Sequence, residues 1–452
     1  MSERFSKSVS CRCLLVLALF AGFLSMSQEI TWITLLAYMT GGQPTVFADV
    51  LGFLLLGTAI GSLIAGLYLR STQVNTLRYL FWLGLPVAAL FLLVVPVASR
   101  LIVYTQVGAR SLIYASVMIV AAFWGSSFPF ICAAIETNER NAGWRVSCVY
   151  MANILGAVTG PLLTGLLLLD IMTLQQLVLW LAVGMTLFAL LCLFMAYDRG
   201  ERNGKMLGAL LLVIPIALLS MLSGDETLER LHHKGNFLAG SQFKREVQSR
   251  YGIITVASGQ TDILYGGGVY DGQFNVDPFL DTNGIRRAYM LASLHDRPQT
   301  VLMIGLGSGS WASVVASHRE VSQLDVVEIN PDYLALVKEY PYGSRLLADP
   351  KVNLMIDDGR RWLRRNADRR YDVIVMNTSF HWRNYMTYLL SEDFFKLCQR
   401  HLKEGGVLYF NTTFSKDVLY TVAGVYDHVT VFGNFAAASM SPFVMGRRER
   451  MK

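Results

Sequence analysis

The stretch Val301-Leu-Met-Ile-Gly-Leu-Gly-Ser-Gly-Ser310 decides the fold of the C-terminal half of this 452-residue chain. Its first four residues form a short apolar run, which is typical of a buried parallel strand. Three glycines follow at alternate positions, and because glycine has no Cβ they allow a tight turn that a ligand can approach closely. A helical stretch at 311–317 comes next. The segment therefore predicts a strand, a ligand-binding turn and a helix, which is how a Rossmann-type unit begins.

Strands continue to alternate with helices after this segment, and polar residues follow the strand ends. The apolar runs that predict four further strands lie at 324–328, 352–356, 371–376 and 407–410. The first of these runs ends at Glu328, and the second leads into Asp357 and Asp358. The third leads into Asn377. This alternation predicts a doubly wound α/β domain, in which ligands bind at the carboxyl ends of the strands.

The residues at these strand ends indicate a nucleotide site. Glu328 lies nineteen residues after Gly309, close to the spacing of about 20 residues for an acid that binds ribose hydroxyls. Asp358, one strand further on, is placed to accept a hydrogen bond from an adenine amino group, and Asp357 stands beside it. The predicted cofactor-binding residues are Gly305, Gly307, Gly309, Glu328, Asp357 and Asp358.

The spacing of the glycines favours one class of nucleotide. A dinucleotide site requires Gly-x-Gly-x-x-Gly, so that a helix N-terminus meets a pyrophosphate. Here the spacing is Gly-x-Gly-x-Gly, and an acid follows each of the next two strands. We therefore expect a cationic sulfonium ligand of the S-adenosylmethionine type rather than NAD. The corresponding fold is a class I S-adenosylmethionine transferase-like Rossmann-type domain.

A small N-terminal β-rich lobe is predicted at 251–299, ahead of the Rossmann-type domain at 300–452. β-Branched and polar residues alternate at 252–256 and 262–265, and glycine clusters interrupt the pattern. This composition favours a small antiparallel sheet. Residues 224–250 are polar and predict a linker.

Residues 1–223 predict an α-helical multi-pass membrane domain, which accounts for the hydrophobic fraction of 53% in the whole chain. The apolar stretches long enough to be considered as spans lie at 12–38, 47–69, 77–98, 111–135, 146–169, 174–196 and 206–223. The last stretch is the shortest and contains Pro215, so six and seven spans both stay open.

Loop charges predict the orientation of these spans. Basic residues before the first span and after the second, fourth and sixth outnumber those in the alternate loops. The positive-inside rule therefore places the N-terminus in the cytoplasm and the chain in the cell (inner) membrane. The side on which the C-terminal domain lies depends on the number of spans and stays open.

Two kinds of residue stand out inside the apolar stretches. Gly57 and Gly61, with Gly52 and Gly66 nearby, predict close helix packing. Glu29 is an acid deep in an apolar run, where burying a charge is expensive. A functional acid and a hydrogen-bonded glutamate that holds helices together both stay open for this residue.

Composition excludes several classes of function. The net charge of +6 is modest and is not gathered into a basic arm, so we expect no nucleic-acid partner. The six cysteines show no metal-ligand spacing with histidines and no disulfide framework, so we expect no metal.

The C-terminal region resembles the spermidine synthase (polyamine aminopropyltransferase) family over about 251–413, and the whole chain is similar to bacterial proteins in which such a domain follows multi-pass membrane helices. The matching segments lie at 149–157, 301–309, 326–330, 357–359, 390–395 and 405–407. The resemblance implies polyamine biosynthesis: an aminopropyl group passes from decarboxylated S-adenosylmethionine to an amine such as putrescine, and methylthioadenosine is released.

The sequence departs from this family at the amine-binding half of the site. In the family the fourth strand runs into an aspartate-rich segment whose first aspartate accepts the proton, whereas here that position is Asn377. An amide cannot act as a base. The Tyr-Gln of the family reads Tyr251-Gly252, and its Tyr-His has at most Tyr289-Met290 to match it.

Several residues are candidates to replace the missing acid. His381 lies four residues beyond Asn377 and has a side chain suited to general base catalysis. Asp271 and Asp277 on the preceding lobe are candidates for binding an amine, with ordinary turn roles as the alternative. The aromatic residues Trp382, Tyr385 and Tyr388 are candidates for a pocket wall or a lid.

Three functions stay open on these grounds. The first is an aminopropyltransferase-like enzyme that acts on a changed amine acceptor. The second is a membrane-tethered methyltransferase that uses S-adenosylmethionine itself, and the third is a catalytically inactive sensor of adenosyl ligands. The expected partners are a small-molecule amine and the lipid bilayer, and a homo-oligomer stays one of the alternatives.

Overall fold

The computed structural model describes residues 11–71, 75–135, 142–197, 201–202, 204–206, 208, 226–377, 380–383 and 386–443. The chain divides into two compact units. One is helical and takes in most of the residues up to Gln242, and the other is an α/β unit that includes the residues from Ile253 onward.

The helical unit contains six helices that are long and apolar enough to cross a membrane, within the described part of the chain. They span Cys11–Thr40, Thr45–Ser71, Thr76–Leu101, Gln106–Ala133, Ala142–Ile171 and Leu174–Ala196. The last helix begins with a capping box, in which Thr173 and Gln176 bond each other's backbone N–H groups. These helices coincide with the first six stretches considered as spans and confirm that each forms a long apolar helix. Nearly all of the seventh stretch, 206–223, lies outside the described residues.

Small residues bring helices of this unit close together. A Cβ on Gly57 would lie 2.3 Å from the carbonyl oxygen of Met118, and one on Gly61 would lie 1.9 Å from that of Ala122. Only glycine fits at such contacts, which confirms the packing prediction for these two residues. The prediction is wrong for Gly52 and Gly66, because nothing lies within 4 Å of a Cβ at either position.

Polar residues of the first helix are buried inside the same unit. Glu29 is 8% exposed. Its neighbour Gln28 accepts a hydrogen bond from Trp124 Nε1 at 2.7 Å. The fifth helix contains a π-helical turn at Thr164–Leu168. The buried acid agrees with both interpretations of Glu29 and does not choose between them.

A four-stranded sheet forms the small lobe, with strands in the order β1-β2-β3-β4. The strands are β1 Arg245–Ser249, β2 Gly252–Ala257, β3 Ile263–Gly266 and β4 Val269–Gln273. β3 is antiparallel to both β2 and β4, which agrees with the predicted small antiparallel sheet. Residues 224–250, for which the sequence predicted a linker, contain the helix Thr227–His233 and the strand β1. Their polar composition concealed both elements, because each is short.

A seven-stranded sheet forms the centre of the α/β unit, in the order β10-β11-β9-β8-β5-β6-β7. The strands are β5 Thr300–Ile304, β6 Gln323–Glu328, β7 Val352–Ile356, β8 Tyr371–Met376, β9 Leu402–Asn411, β10 His428–Phe432 and β11 Phe435–Ser439. The five neighbouring strands β9, β8, β5, β6 and β7 are parallel. Next to β9, the strands β11 and β10 add an antiparallel edge. This sheet confirms the predicted Rossmann-type fold.

Helices cover both faces of this sheet. The longer ones span Ser310–Ser317, Asp332–Lys338, Pro341–Ala348, Gly359–Arg365, Glu392–His401 and Lys416–Ala423, and short ones lie at Arg286–Tyr289, Leu291–Leu294 and Met386–Leu389. Alternate residues of β5 enter two separate cores: Val301 and Met303 pack on one face, and Leu302 and Ile304 on the other. Burial on both faces explains why the run at 301–304 is apolar throughout.

The strand order places a crevice at the centre of the sheet. From β5 the chain moves outward to β6 and β7, and then returns to the other side of β5 as β8. The connections after β5 and β8 therefore diverge at the carboxyl ends of these two strands. Open α/β sheets bind ligands at this kind of switch point.

Candidate functional site

The glycine turn after β5 has the backbone conformation that its sequence predicted. Gly305, Gly307 and Gly309 have φ angles of +92°, +53° and +72°, a region that L-residues with side chains avoid. A Cβ on Gly309 would also lie 2.7 Å from Cγ1 of Val337, so this glycine lets the turn pack on the helix Asp332–Lys338. Nothing lies within 4 Å of a Cβ at Gly305. The turn therefore leaves space beside its first glycine, and ligand binding there stays a prediction.

Glu328 lies at the end of β6 and is 4% exposed. Its carboxylate accepts hydrogen bonds from the backbone N–H of Leu306 at 2.7 Å and of Asn330 at 2.8 Å. Burial raises the pKa of Glu328 to about 7, although these backbone hydrogen bonds oppose the rise. The structure thus brings the predicted ribose-binding acid into contact with the glycine turn.

Asp357 and Asp358 follow β7 at the same edge of the sheet. The backbone N–H of Asp357 donates to the carbonyl of Glu328 at 3.0 Å, which joins the two strand ends. Asp357 pairs with the side chain of Arg361, and Asp358 caps the following helix by accepting from the N–H of Arg361 at 2.8 Å. Both acids therefore have structural roles, and adenine binding by Asp358 stays a prediction.

Asn377 follows β8 and belongs to a chain of side-chain amides. Its Oδ1 accepts from Nδ2 of Asn411 at 3.4 Å, and Oδ1 of Asn411 accepts from Nδ2 of Asn434 at 2.9 Å. Arg287 in turn donates to Oδ1 of Asn434. Asn377, which stands where the family has its aspartate, therefore bonds the end of β9 through Asn411.

His381 is tied to the segment after β9. Its Nδ1 lies 2.7 Å from Oγ1 of Thr413, and its backbone N–H donates to the same oxygen at 3.2 Å. Thr413 and Phe414 have φ angles of +53° and +60°, which is strained for residues with side chains. This strained turn orients the imidazole through Nδ1. The structure agrees with a role for His381 at the site but does not test it.

Asp271, on β4, lies beside the glycine turn. Its backbone oxygen would lie 3.2 Å from a Cβ on Gly307. Its carboxylate accepts a hydrogen bond from the hydroxyl of Tyr333, a buried residue of the helix after β6. Burial raises the pKa of Tyr333 well above its usual value, and the negative charges of Asp271 and Glu328 raise it further. The three side chains therefore form one electrostatically coupled group.

Sequence reasoning missed Tyr333 and Arg383. Tyr333 is the fifth residue after Glu328, so its position behind the acid at a strand end was a usable signal. Arg383 donates from Nη2 to the carbonyl of Gly266 at 2.7 Å. No local pattern indicated this contact, which joins residues 117 positions apart.

The other candidates have ordinary roles or are only partly described. Asp277 accepts from the N–H of Phe279 at 2.8 Å, which is a turn contact. Trp382 stacks on Phe380 with ring centroids 5.4 Å apart. Tyr388 is 60% exposed, and Tyr385 lies outside the described residues. Within the described part of the chain, no three His, Cys, Asp or Glu side chains are grouped to hold a metal ion.

Comparison with known proteins identifies the region that carries this site. Residues 288–445 match the model of the spermine/spermidine synthase domain. This synthase domain contains the glycine turn, Glu328 and Asn377, and it follows the helical unit in the chain.

Similar proteins are aminopropyltransferases. Polyamine aminopropyltransferase 1 of Pseudomonas aeruginosa is 34% identical over 116 residues, which cover 25% of this chain and 40% of that protein. A polyamine aminopropyltransferase of Prochlorococcus marinus is 30% identical over 115 residues, again 25% and 40% of the two chains. The chain thus spans about two fifths of the length of the curated relatives that it matches.

Solved structures are similar to the synthase domain at low sequence identity. A spermidine synthase in complex with the transition state analogue AdoDATO has a TM-score of 0.39 at 20% identity, covering 44% of this chain and 74% of that chain. The spermidine synthase of Thermotoga maritima has a TM-score of 0.38 at 20% identity, covering 44% and 73%.

Proposed function

We propose that this protein is a membrane-bound aminopropyltransferase-like enzyme, which transfers a group from decarboxylated S-adenosylmethionine to an amine. The observation that carries the proposal is the contact between Glu328 and the glycine turn inside a spermine/spermidine synthase domain. The open space beside Gly305 and the buried acid fit a ligand with a ribose and a positive charge. Gly305, Gly307, Gly309, Glu328, Asp357 and Asp358 are the residues proposed to hold its adenosyl part.

The proposed reaction is a nucleophilic displacement at carbon. The neutral amine nitrogen of the acceptor attacks the CH₂ group next to the sulfonium, so a C–N bond forms while the C–S bond breaks. The sulfur keeps the electron pair and leaves as the thioether methylthioadenosine. The nitrogen must also lose a proton, which requires a base, because the product would otherwise stay a protonated amine with an additional substituent.

We propose His381 as this base. Asn377 has no lone pair that is basic near neutral pH, although it occupies the position of the family's aspartate. The bond between Nδ1 of His381 and Thr413 fixes the ring. In the tautomer in which Nδ1–H donates to Thr413, Nε2 is the proton acceptor. The same bond favours a catalytic role for His381 over that of an ordinary surface histidine, because it limits the orientations of the ring.

The helical unit supports a location in the cell (inner) membrane. Six helices long and apolar enough to cross the bilayer would anchor the synthase domain at its surface. The proposed division is a membrane domain at 1–223, a connection at 224–244 that contains the helix Thr227–His233, a β-rich lobe at 245–299 and a Rossmann-type domain at 300–452. Loop charges place the N-terminus in the cytoplasm.

Methyl transfer from S-adenosylmethionine is the second candidate function. The amide at Asn377 favours it, because the loss of a carboxylate at this position weakens the binding of a polyamine. A methyltransferase would need the same glycine turn and the same acid at Glu328 for its donor.

Product analysis tests the proposal. The full-length protein in lipid nanodiscs is incubated with each sulfonium donor and a mixture of amines, and the nucleoside products are identified by mass spectrometry. Methylthioadenosine is the expected product, and S-adenosylhomocysteine would establish methyl transfer instead. If neither product forms while methylthioadenosine still raises the melting temperature, the domain is a sensor of adenosyl ligands.

A further inference from the structure

Two basic side chains lie against one tyrosine at the end of the sixth apolar helix, Leu174–Ala196. The guanidinium carbon of Arg78 lies 4.3 Å from the ring centroid of Tyr197, and Nζ of Lys205 lies 4.5 Å from the same centroid. The tyrosine is buried in the helical unit. An aromatic ring attracts each cation, but the two cations repel each other because both lie next to the same ring.

Residues of the third apolar helix, Thr76–Leu101, fix this tyrosine. Nε of Arg78 donates to the carbonyl of Ala196 at 3.4 Å, and Nε1 of Trp82 donates to the hydroxyl of Tyr197 at 3.2 Å. The start of the third helix therefore lies beside the end of the sixth, although 118 positions separate Arg78 from Ala196 in the chain.

The segment that follows the sixth helix contributes a third cation. The guanidinium carbon of Arg202 lies 4.4 Å from the ring centroid of Phe194, in the last turn of that helix. Lys205, three residues after Arg202, reaches back to Tyr197. Two separate parts of the chain thus supply three positive charges to one end of the helical unit. We call these three residues the basic cluster: Arg78, Arg202 and Lys205.

The charges of the basic cluster are poorly compensated. Oε2 of Glu201 lies 3.7 Å from Nζ of Lys205, but the glutamate side chain is 60% exposed, so solvent screens the pair and it contributes little. Neither Arg78 nor Arg202 forms an ion pair within the part of the chain that the structure describes. Residues 198–200, which lie outside that part, add one charge of each sign. An anion would therefore stabilise this end of the unit.

The basic cluster lies at the ends of two helices that are long and apolar enough to cross a membrane. Tyr79 and Trp82 are exposed near the start of the third helix. Exposed tyrosine and tryptophan near the ends of membrane helices are typical of the bilayer surface, where lipid phosphates also lie. Loop charges predict that this end faces the cytoplasm. Basic side chains in this position attract anionic lipid headgroups.

We propose that the basic cluster binds the phosphate of an anionic phospholipid, and that this lipid joins the start of the third helix to the end of the sixth. The guanidinium groups of Arg78 and Arg202 donate charge-assisted hydrogen bonds to phosphate oxygens, and Lys205 supplies a further positive charge. A phosphatidylcholine headgroup fits less well, because the same three side chains repel its own cation. The inference concerns the helical unit and does not depend on the proposed transfer reaction.

Two lipids that differ only in their headgroups test this inference. The full-length protein, purified in a neutral detergent and depleted of lipid, is titrated with dioleoylphosphatidylglycerol or dioleoylphosphatidylcholine. Native mass spectrometry measures Kd for the first bound lipid, and thermal unfolding measures Tm. We expect phosphatidylglycerol to bind about 10-fold more tightly or better and to raise Tm more. The difference in Tm should shrink in 1 M NaCl, where the Debye length is only about 3 Å.

Arg78→Gln and Lys205→Gln locate the lipid. Each should weaken the binding of phosphatidylglycerol about 5-fold, the effect of one basic side chain near an anionic headgroup, and leave the binding of phosphatidylcholine unchanged. Arg100→Gln is the matched control, because Arg100 lies in the last turn of the same helix as Arg78, at its other end. This control should leave Kd for both lipids unchanged.

Three outcomes would overturn the inference. The first is equal binding of the two lipids by the wild-type protein. The second is an equal loss of phosphatidylglycerol binding in Arg78→Gln and Arg100→Gln, because total charge and not the cluster would then matter. The third is a rise in Tm with inorganic phosphate as large as that with phosphatidylglycerol, which would indicate a site for a soluble anion. The comparison of the two lipids needs no variant, so it decides the matter even if Arg78→Gln does not fold.

Discussion

The carboxyl ends of β5, β6 and β7 (the first edge) and the carboxyl ends of β8 and β9 (the second edge) belong to one sheet. The loops that follow them are held in different ways. At the first edge, carboxylates accept hydrogen bonds from backbone N–H groups: Glu328 accepts from Leu306, and Asp358 caps a helix by accepting from Arg361. At the second edge, side chains make them, through the amide chain from Asn377 and the bond between His381 and Thr413.

This difference has a consequence for how each half of the site can change. Contacts with backbone N–H groups depend on turn geometry and on glycine at fixed positions as well as on the carboxylate, so few sequences satisfy them. A contact between two side chains depends only on the two residues that make it. The first edge is therefore suited to hold the adenosyl part common to many donors, and the second edge is suited to determine which acceptor reacts.

The largest expected effect is at the second edge. Replacing His381 with alanine should lower kcat by roughly 100-fold or more, because a positioned base contributes about that much to proton transfer. Turnover is measured as the release of methylthioadenosine by the full-length protein. His428→Ala, on β10, is the control and should leave kcat unchanged. Near-normal turnover in His381→Ala would remove this histidine from the mechanism.

The first edge should respond most strongly to a change in turn geometry. Gly309→Ala should lower the free energy of unfolding by about 2–3 kcal/mol, since it adds backbone strain and a contact with Val337. Gly405→Ala is matched to it, because Gly405 has a φ angle of +74° and nothing within 4 Å of its Cβ position. It should cost only about 1–2 kcal/mol. Thermal or chemical denaturation measures both, and equal losses would show that the Val337 contact is unimportant.

Nucleotide binding at the first edge should depend on pH. Burial raises the pKa of Glu328 to about 7, so the side chain is mostly protonated at pH 6 and mostly ionised at pH 8. Ribose hydroxyls donate to the ionised form, which means that affinity increases as the pH rises through 7. We expect Kd for methylthioadenosine to fall about 10-fold from pH 6 to pH 8. Isothermal titration calorimetry measures it, and Glu328→Gln should bind weakly with no such dependence.

A smaller effect is expected from restoring a carboxylate at the second edge. Asn377→Asp keeps an oxygen that accepts from Asn411, so the amide chain survives the change. Turnover with putrescine should rise by up to about 10-fold, because the new carboxylate attracts the ammonium group. Asn411→Asp is the matched control: it adds the same charge but removes the donor to Asn377. An equal rise in both variants would mean that charge alone, and not its position, matters.

Much of the first edge could be predicted from the sequence, and little of the second. Glu328 and Asp358 were recognisable because each lies at or just beyond the end of an apolar run, and strand ends converge in any parallel sheet. Arg383 was not recognisable, because its partner Gly266 is 117 residues away. The pair of Tyr333 and Asp271 is separated by 62 residues, and no periodicity links them.

The sequence by itself determined the five parallel strands of the α/β unit, the six apolar helices and the glycine turn, but not the antiparallel strands β10 and β11. These features depend on local composition: apolar runs, glycine spacing and the acids that follow them. Only the tertiary structure decided that Asp271 lies beside that turn, that Tyr333 and Arg383 lie with Asp271 at Gly266, and that Asn411 and Thr413 bond Asn377 and His381. Such contacts arise when the small lobe and distant strand ends pack together, since packing brings residues together regardless of their separation in the chain.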